Sequence, residues 1–174
     1  MARVSPIDDV NHPELAGLEE KIRGARRGRL INIYKMLLHS PALAETWFAH
    51  NNAVRWKTEL HGRLREMAIV RIGILTHVSY IVRQHVPALV IPEGLTLEQC
   101  AALENWQDST LFGDCDRAVL AYTDSMTADI EVPDHIYARL KNFFTERQIV
   151  ELTVLIGTYN MHARVLQALE IDPE

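Results

Sequence analysis

Apolar residues recur along the chain at helical intervals of three and four, and turn-forming residues interrupt the pattern at the joints. Pro13, with Asn11 or His12 before it, can occupy a first helical turn whose apolar face continues through Leu15, Leu18 and Ile22. Ser40-Pro41 opens a second stretch carrying Leu43, Trp47 and Val54. From about residue 64 a third carries Met67, Ile69, Val70 and Ile74, and the spacing predicts a further helix over 78–89, ending before Pro92. Thr96-x-x-Gln99 and Thr145-x-x-Gln148 are capping-box patterns, in which a hydroxyl and a side-chain carbonyl satisfy the orphan amides at a helix start. Asp114 can cap a helix running toward Asp129, Pro133-Asp134 opens a short helix reaching residue 144, and the longest helix is predicted over 146–169. The best strand-like run, 86–91, continues an amphipathic helix and stops at proline. The expectation is one all-α domain over 1–174, a helical bundle whose last helix, apolar from Ile149 to Met161, is buried on most of its circumference.

Composition narrows the partners. With 174 residues, 48% hydrophobic and 24% charged content and a net charge of −5, the chain can bury a core and gives no electrostatic reason to expect nucleic acid or a membrane as partner. The cluster Arg23, Arg26, Arg27 and Arg29 reads as a solvated face or subunit contact, since no aromatic platform accompanies it. The beginning of the chain carries Asp8 and Asp9 and no apolar run of signal-peptide length, and Cys100 and Cys115 are the only cysteines, so a cytoplasmic location is expected.

Chemistry concentrates between Arg65 and His85. Glu66 and His85 are nineteen positions apart, so one straight helix would separate them by about 28 Å at ~1.5 Å per residue; they can share a site only if the chain turns between them. Gly73, Thr76 and Ser79 make a turn plausible, with Glu66 on one helix and His85 on the next. Val78, Ile81 and His85, spaced three and then four, would face one way. A carboxylate can orient a histidine ring and raise its pKa toward the range useful for proton transfer, which makes the pair a candidate acid/base site. Tyr80 could donate to a substrate oxygen, and Tyr159 and Asn160, polar groups in a buried helix, need partners that a polar pocket would supply. Arg71 and Arg83 are candidates for binding a carboxylate only if they point inward, and helical spacing puts Arg83, two residues from His85, on a different face. The other histidines (His12, His39, His50, His61, His77, His135, His162) form no zinc signature, and no phosphate loop, dinucleotide fingerprint or nucleophile elbow is present, so neither a metal nor a cofactor is expected.

Taken in order, Arg65-Glu66, Tyr80, Gln84-His85-Val86, Gly94-Leu95-Thr96, 116–120, 148–152 and Gly157-x-Tyr159-Asn160-Met161 resemble the carboxymuconolactone decarboxylase family, which includes the alkylhydroperoxidase D-like proteins. The redox branch of that family carries a Glu, eleven residues, Cys-x-x-Cys, three residues and a His; here the Glu falls on Glu66, the cysteines on Val78 and Ile81, and the His on His85. The resemblance implies an alkylhydroperoxidase D-like all-α fold in a homo-oligomer (dimer, trimer or hexamer) that lacks the thiol pair of a peroxidase. It further implies a cofactor-independent lyase or isomerase acting on a small organic acid, lactone or carbonyl compound. Glu66, His85 and Tyr80 would be catalytic, and Tyr159, Asn160, Val78 and Ile81 would contact the substrate. The alternative is a non-catalytic binding or scaffold protein that kept the fold.

Overall fold

Ten consecutive buried residues, 64–73, organise the architecture. In the computed structural model, which describes residues 2–7 and 10–174, the helices in chain order are α1 (Ala16–Ala25), α2 (Asn32–Leu37), α3 (Pro41–Trp56), α4 (Gly62–Leu75), α5 (Ser79–His85), α6 (Leu97–Ala102), α7 (Asp114–Asp124), α8 (Asp134–Leu140) and α9 (Glu146–Ala168). Asp8 and Asp9, read above as part of a polar N-terminal stretch, lie outside the described residues. No strand is present among the described residues, and none of their helices is long and apolar enough to cross a membrane.

Helix α4 is the centre because it packs on α5, α7 and α9 together, so nearly every side of it faces protein. Its start is fixed by His61, whose ring Nδ1 accepts from the Arg63 amide at 3.2 Å. Gly73 lies where α5 crosses: a Cβ there would come within 3.0–3.2 Å of the Val82 and Ile81 side chains, tighter than packing normally allows. The helix nevertheless runs two residues past Gly73, and the reversal is made at His77, whose φ is 55°. Both capping boxes form as expected, at Thr96 and Thr145.

Several boundaries differ from the sequence expectation, among them the end of α8, which stops at Leu140 and not at residue 144. Helix α5 stops at His85 and not near Leu89, because Pro87 forces Val86 out of helical geometry, to φ −101° and ψ 127°. Val78 is the extended N-cap of α5, so Ile81 and His85 share the helix face without it. Helix α7 is capped at Gly113, whose amide donates to Asp116 three residues on, and α7 ends at Asp124 before a π-turn over Ser125–Asp129. The chain also forms α2, which the periodicity did not mark. On α9, Leu152, Leu155, Ile156 and Tyr159 are buried, while Val150, Val154 and Met161 form an exposed apolar stripe, 62%, 43% and 39% exposed.

Candidate active site

The α4–α5 hairpin brings the two residues nineteen apart into contact. His85 Nδ1 and Glu66 Oε2 are 2.5 Å apart, and both side chains are buried. The other oxygen of Glu66 accepts from Arg55 at 2.8 Å and from Arg65 at 3.3 Å, and Arg65 also reaches Glu93 at 2.7 Å. Both guanidinium groups lie over the Trp56 ring, at 4.7 and 4.9 Å. Tyr159 on α9 meets His85 edge-on at 5.6 Å between ring centroids.

Burial works against the Glu66 charge, but the His85 hydrogen bond and the Arg55 and Arg65 charges outweigh it and hold the carboxyl at about 2. His85 goes the other way from the sequence expectation. Glu66 does favour its charged form, yet burial, with Arg55 and Arg26 nearby, depresses it below the ordinary histidine range. Carboxylate plus neutral imidazole is therefore the resting pair. A carboxylate only accepts, so Nδ1 carries the proton and Nε2 keeps a lone pair.

Beside this pair is a cavity of about 200 Å³. His85 and Ile81 line it from α5; Trp47, Asn51 and Arg55 line it from α3 at positions i, i+4 and i+8; Tyr159, His162 and Leu166 line it from α9. Further lining comes from the turn between α1 and α2, where φ is positive at Arg27 (57°) and Gly28 (79°) and Arg26, Arg27 and Arg29 join the wall. Exposed Arg27, Arg29 and Trp56 belong to the lining and connect it to the surface. Four arginines and no carboxylate are found among the described lining residues, since Glu66 stands behind His85. His162 stacks flat on Trp47 (4.7 Å, 13°) and tilts against Tyr159 at 4.9 Å.

The predicted residues separate into two groups. His85, Tyr80, Ile81 and Tyr159 line the cavity, with Glu66 joined to it through His85. Val78 is buried away from the lining, and the Asn160 amide is bound to Thr127 and to the Ile156 carbonyl, both at 3.0 Å. The Tyr80 proton is already donated to Glu174 at 3.1 Å, and burial beside that carboxylate pushes the hydroxyl pKa up, so Tyr80 reaches a substrate oxygen only by releasing Glu174. Arg71 forks onto Asp124 at 2.7 and 2.8 Å and is not part of the cavity lining, and Arg83 is exposed. Sequence reasoning missed Asn51, Arg55, His162 and the arginine turn. The signal was present in α3, where polar Asn51 and Arg55 continue the inward stripe begun by Trp47.

Residues 41–125 match the model of the Carboxymuconolactone decarboxylase family. An uncharacterized protein of Escherichia coli strain K12, YnjA, is 33% identical over 78 residues, a stretch covering 44% of this chain and 43% of that protein, less than half the length of either. Among solved structures, the alkylhydroperoxidase AhpD core of an uncharacterized peroxidase-related protein from Ralstonia eutropha JMP134 superposes with a TM-score of 0.83 at 19% identity, covering 99% of this chain and 92% of that one. A variant of the debrominase Bmp8 in complex with 2,3,4-tribromopyrrole gives a TM-score of 0.81 at 16% identity, covering 100% and 94%. At these identities the two structures establish the fold. Residues 41–125 are thus similar to the carboxymuconolactone decarboxylase family, and the all-α fold is of the alkylhydroperoxidase D-like type.

Proposed function

We propose that this protein is a cofactor-independent acid/base enzyme, a lyase or isomerase acting on a small organic acid or related carbonyl compound. The observation that carries this reading is the Glu66–His85 pair at the wall of a cavity lined by arginines. In the mechanism it supports, Glu66 holds the Nδ1–H tautomer and His85 Nε2 removes a proton from carbon next to a carbonyl. The resulting imidazolium is stabilised by Glu66, and the developing enolate charge by the positive cavity. Arg26, Arg27 and Arg29 supply the recognition of a carboxylate that Arg71 and Arg83 do not. A cavity of about 150 Å³ holds benzene, so about 200 Å³ suits a single ring or a short chain with one or two small substituents.

Thiol chemistry has no support in these residues. Ile81 occupies the cavity wall where a thiol would be needed, and burial pushes the thiols of Cys100 and Cys115 up, the reverse of an activated cysteine. The scaffold reading draws on one observation: Glu66 is fully enclosed and paired on both oxygens. The exposed stripe Val150, Val154 and Met161 on α9 is the surface we would assign to contact between copies in a homo-oligomer.

The test is a proton NMR screen in deuterated buffer over small keto acids, lactones and enones. Deuterium incorporation or product formation by the wild type, reduced about 10²–10⁴-fold in a folded His85→Ala variant, is the expected result for a general base. Equal activity in the variant would remove His85 from the mechanism, and silence of the wild type across the panel would favour the binding protein.

A further inference from the structure

Buried polar atoms without partners cluster around this one cavity. Seven buried side-chain nitrogen or oxygen atoms lack a hydrogen-bond partner among the described residues. Five of them, Arg26 Nε, Trp47 Nε1, Asn51 Oδ1, Arg55 Nε and His162 Nε2, belong to residues that line the cavity. An enclosed unpartnered group is costly and uncommon in a folded protein, so such a concentration calls for a ligand that supplies the missing bonds.

The five divide by chemistry and by place in the fold. Arg26 and Arg55 are cationic donors suited to an anion. Trp47, Asn51 and His162 form a neutral set where α3 faces α9, with the Trp47 and His162 rings in face-to-face contact. Trp47 Nε1 can only donate. Asn51 Oδ1 can only accept, and His162 can accept through an unprotonated ring nitrogen. A bare carbonyl oxygen would satisfy Trp47 and leave Asn51 unpaired. A hydroxyl satisfies both, accepting from the indole and donating its one proton to the Asn51 amide oxygen, with the His162 ring nitrogen as the competing acceptor beside it.

We propose that Trp47, Asn51 and His162 form a hydroxyl-binding subsite, and that the cavity therefore selects small hydroxy-substituted carboxylates over their hydroxyl-free counterparts. This deepens the acid/base reading of the same cavity by naming the substrate class, and it rests on the arginines binding the carboxylate. Notably, none of the three subsite residues needs to move a proton; they position the substrate against His85.

The experiment is calorimetric or NMR titration of the full chain with benzoate, the three hydroxybenzoate isomers and phenol, ring-sized probes that fit the cavity volume. At least one hydroxybenzoate is expected to bind about tenfold more tightly than benzoate, the worth of one buried hydrogen bond, with phenol weaker than that isomer. Asn51→Leu and His162→Phe should each bring the hydroxybenzoate within about twofold of benzoate, the loss falling on the hydroxybenzoate more than on benzoate, whereas a general loss of structure would weaken both alike. Should either variant fail to fold, Trp47→Phe keeps an aromatic ring against His162 and removes only the indole donor. Equal binding of benzoate and all three isomers, a preference that survives these substitutions, or no binding of any hydroxybenzoate would each overturn the subsite. Because the readout is binding, a missing hydroxyl preference alongside proton exchange that depends on His85 would sink the subsite and leave the enzyme; selectivity without exchange would do the reverse.

Discussion

Glu66 touches every part of the site's electrostatics. One oxygen takes His85 and the other takes Arg55 and Arg65, so removing the carboxylate leaves two buried guanidinium groups without it. Glu66→Ala should cost about 3–5 kcal/mol, the usual penalty for breaking a buried ion pair from one side, measurable by denaturant titration. Glu66→Gln should also move the acid limb of the pH–rate profile downward, since Glu66 favours the imidazolium and its loss lets burial and Arg55 depress His85 further. An acid limb that stayed in place would mean the pair is not coupled. That Glu66 and His85 converge was legible, because the helical rise forbids them one helix and Gly73, Thr76 and Ser79 permit a turn. The direction of the His85 shift was not legible, because it depends on burial and on Arg26 and Arg55, which arrive from distant parts of the chain.

Among the elements, those announced by side-chain chemistry were the readable ones. Thr145 accepts from the Gln148 amide at 3.2 Å, and Gln148 answers by accepting from the Thr145 amide at 3.0 Å, so α9 starts where the pattern placed it. Thr145→Ala should cost about 1 kcal/mol and lower Tm by about 2–4 °C in thermal unfolding, with binding at the cavity unchanged. No change in Tm would show that packing alone fixes that helix end. Helix α2 escaped notice because its N-cap, Ile31, is apolar and makes no side-chain cap bond. Four arginines in a row of seven residues look solvated in sequence, yet at the left-handed turn of Arg27 and Gly28 three of them join the cavity wall. Asn160 was misplaced for a related reason: a buried amide needs partners, but its own helix and the π-turn supply them.

At the scale of the whole molecule, buried neutral histidine makes the fold acid-sensitive. Burial, followed by the nearby His85 and Arg26, holds His162 at about 3, against 6.5 for the free side chain. The unfolded chain therefore takes up a proton that the folded chain refuses as pH falls below 6.5, and stability declines from that point toward pH 3. Glu66, held at about 2 against 4.5, adds a second loss below pH 4.5, where the unfolded carboxylate protonates first. Thermal unfolding across pH 4–8 should show Tm steady above about 6.5 and falling below it. His162→Phe, which keeps a ring against Trp47, should flatten the upper part of that fall; an unchanged slope would show that His162 is not held neutral.

The most direct check on the account is the protonation state of His85, read by ¹H–¹⁵N NMR of the histidine rings at neutral pH, with His85→Gln to assign the signal. The predicted result is a neutral ring protonated at Nδ1, with a bare Nε2 nitrogen that stays bare as the pH is lowered past the ordinary histidine range. A ring protonated on both nitrogens at neutral pH, or on Nε2 alone, would leave no base facing the cavity and would contradict the proposed acid/base chemistry.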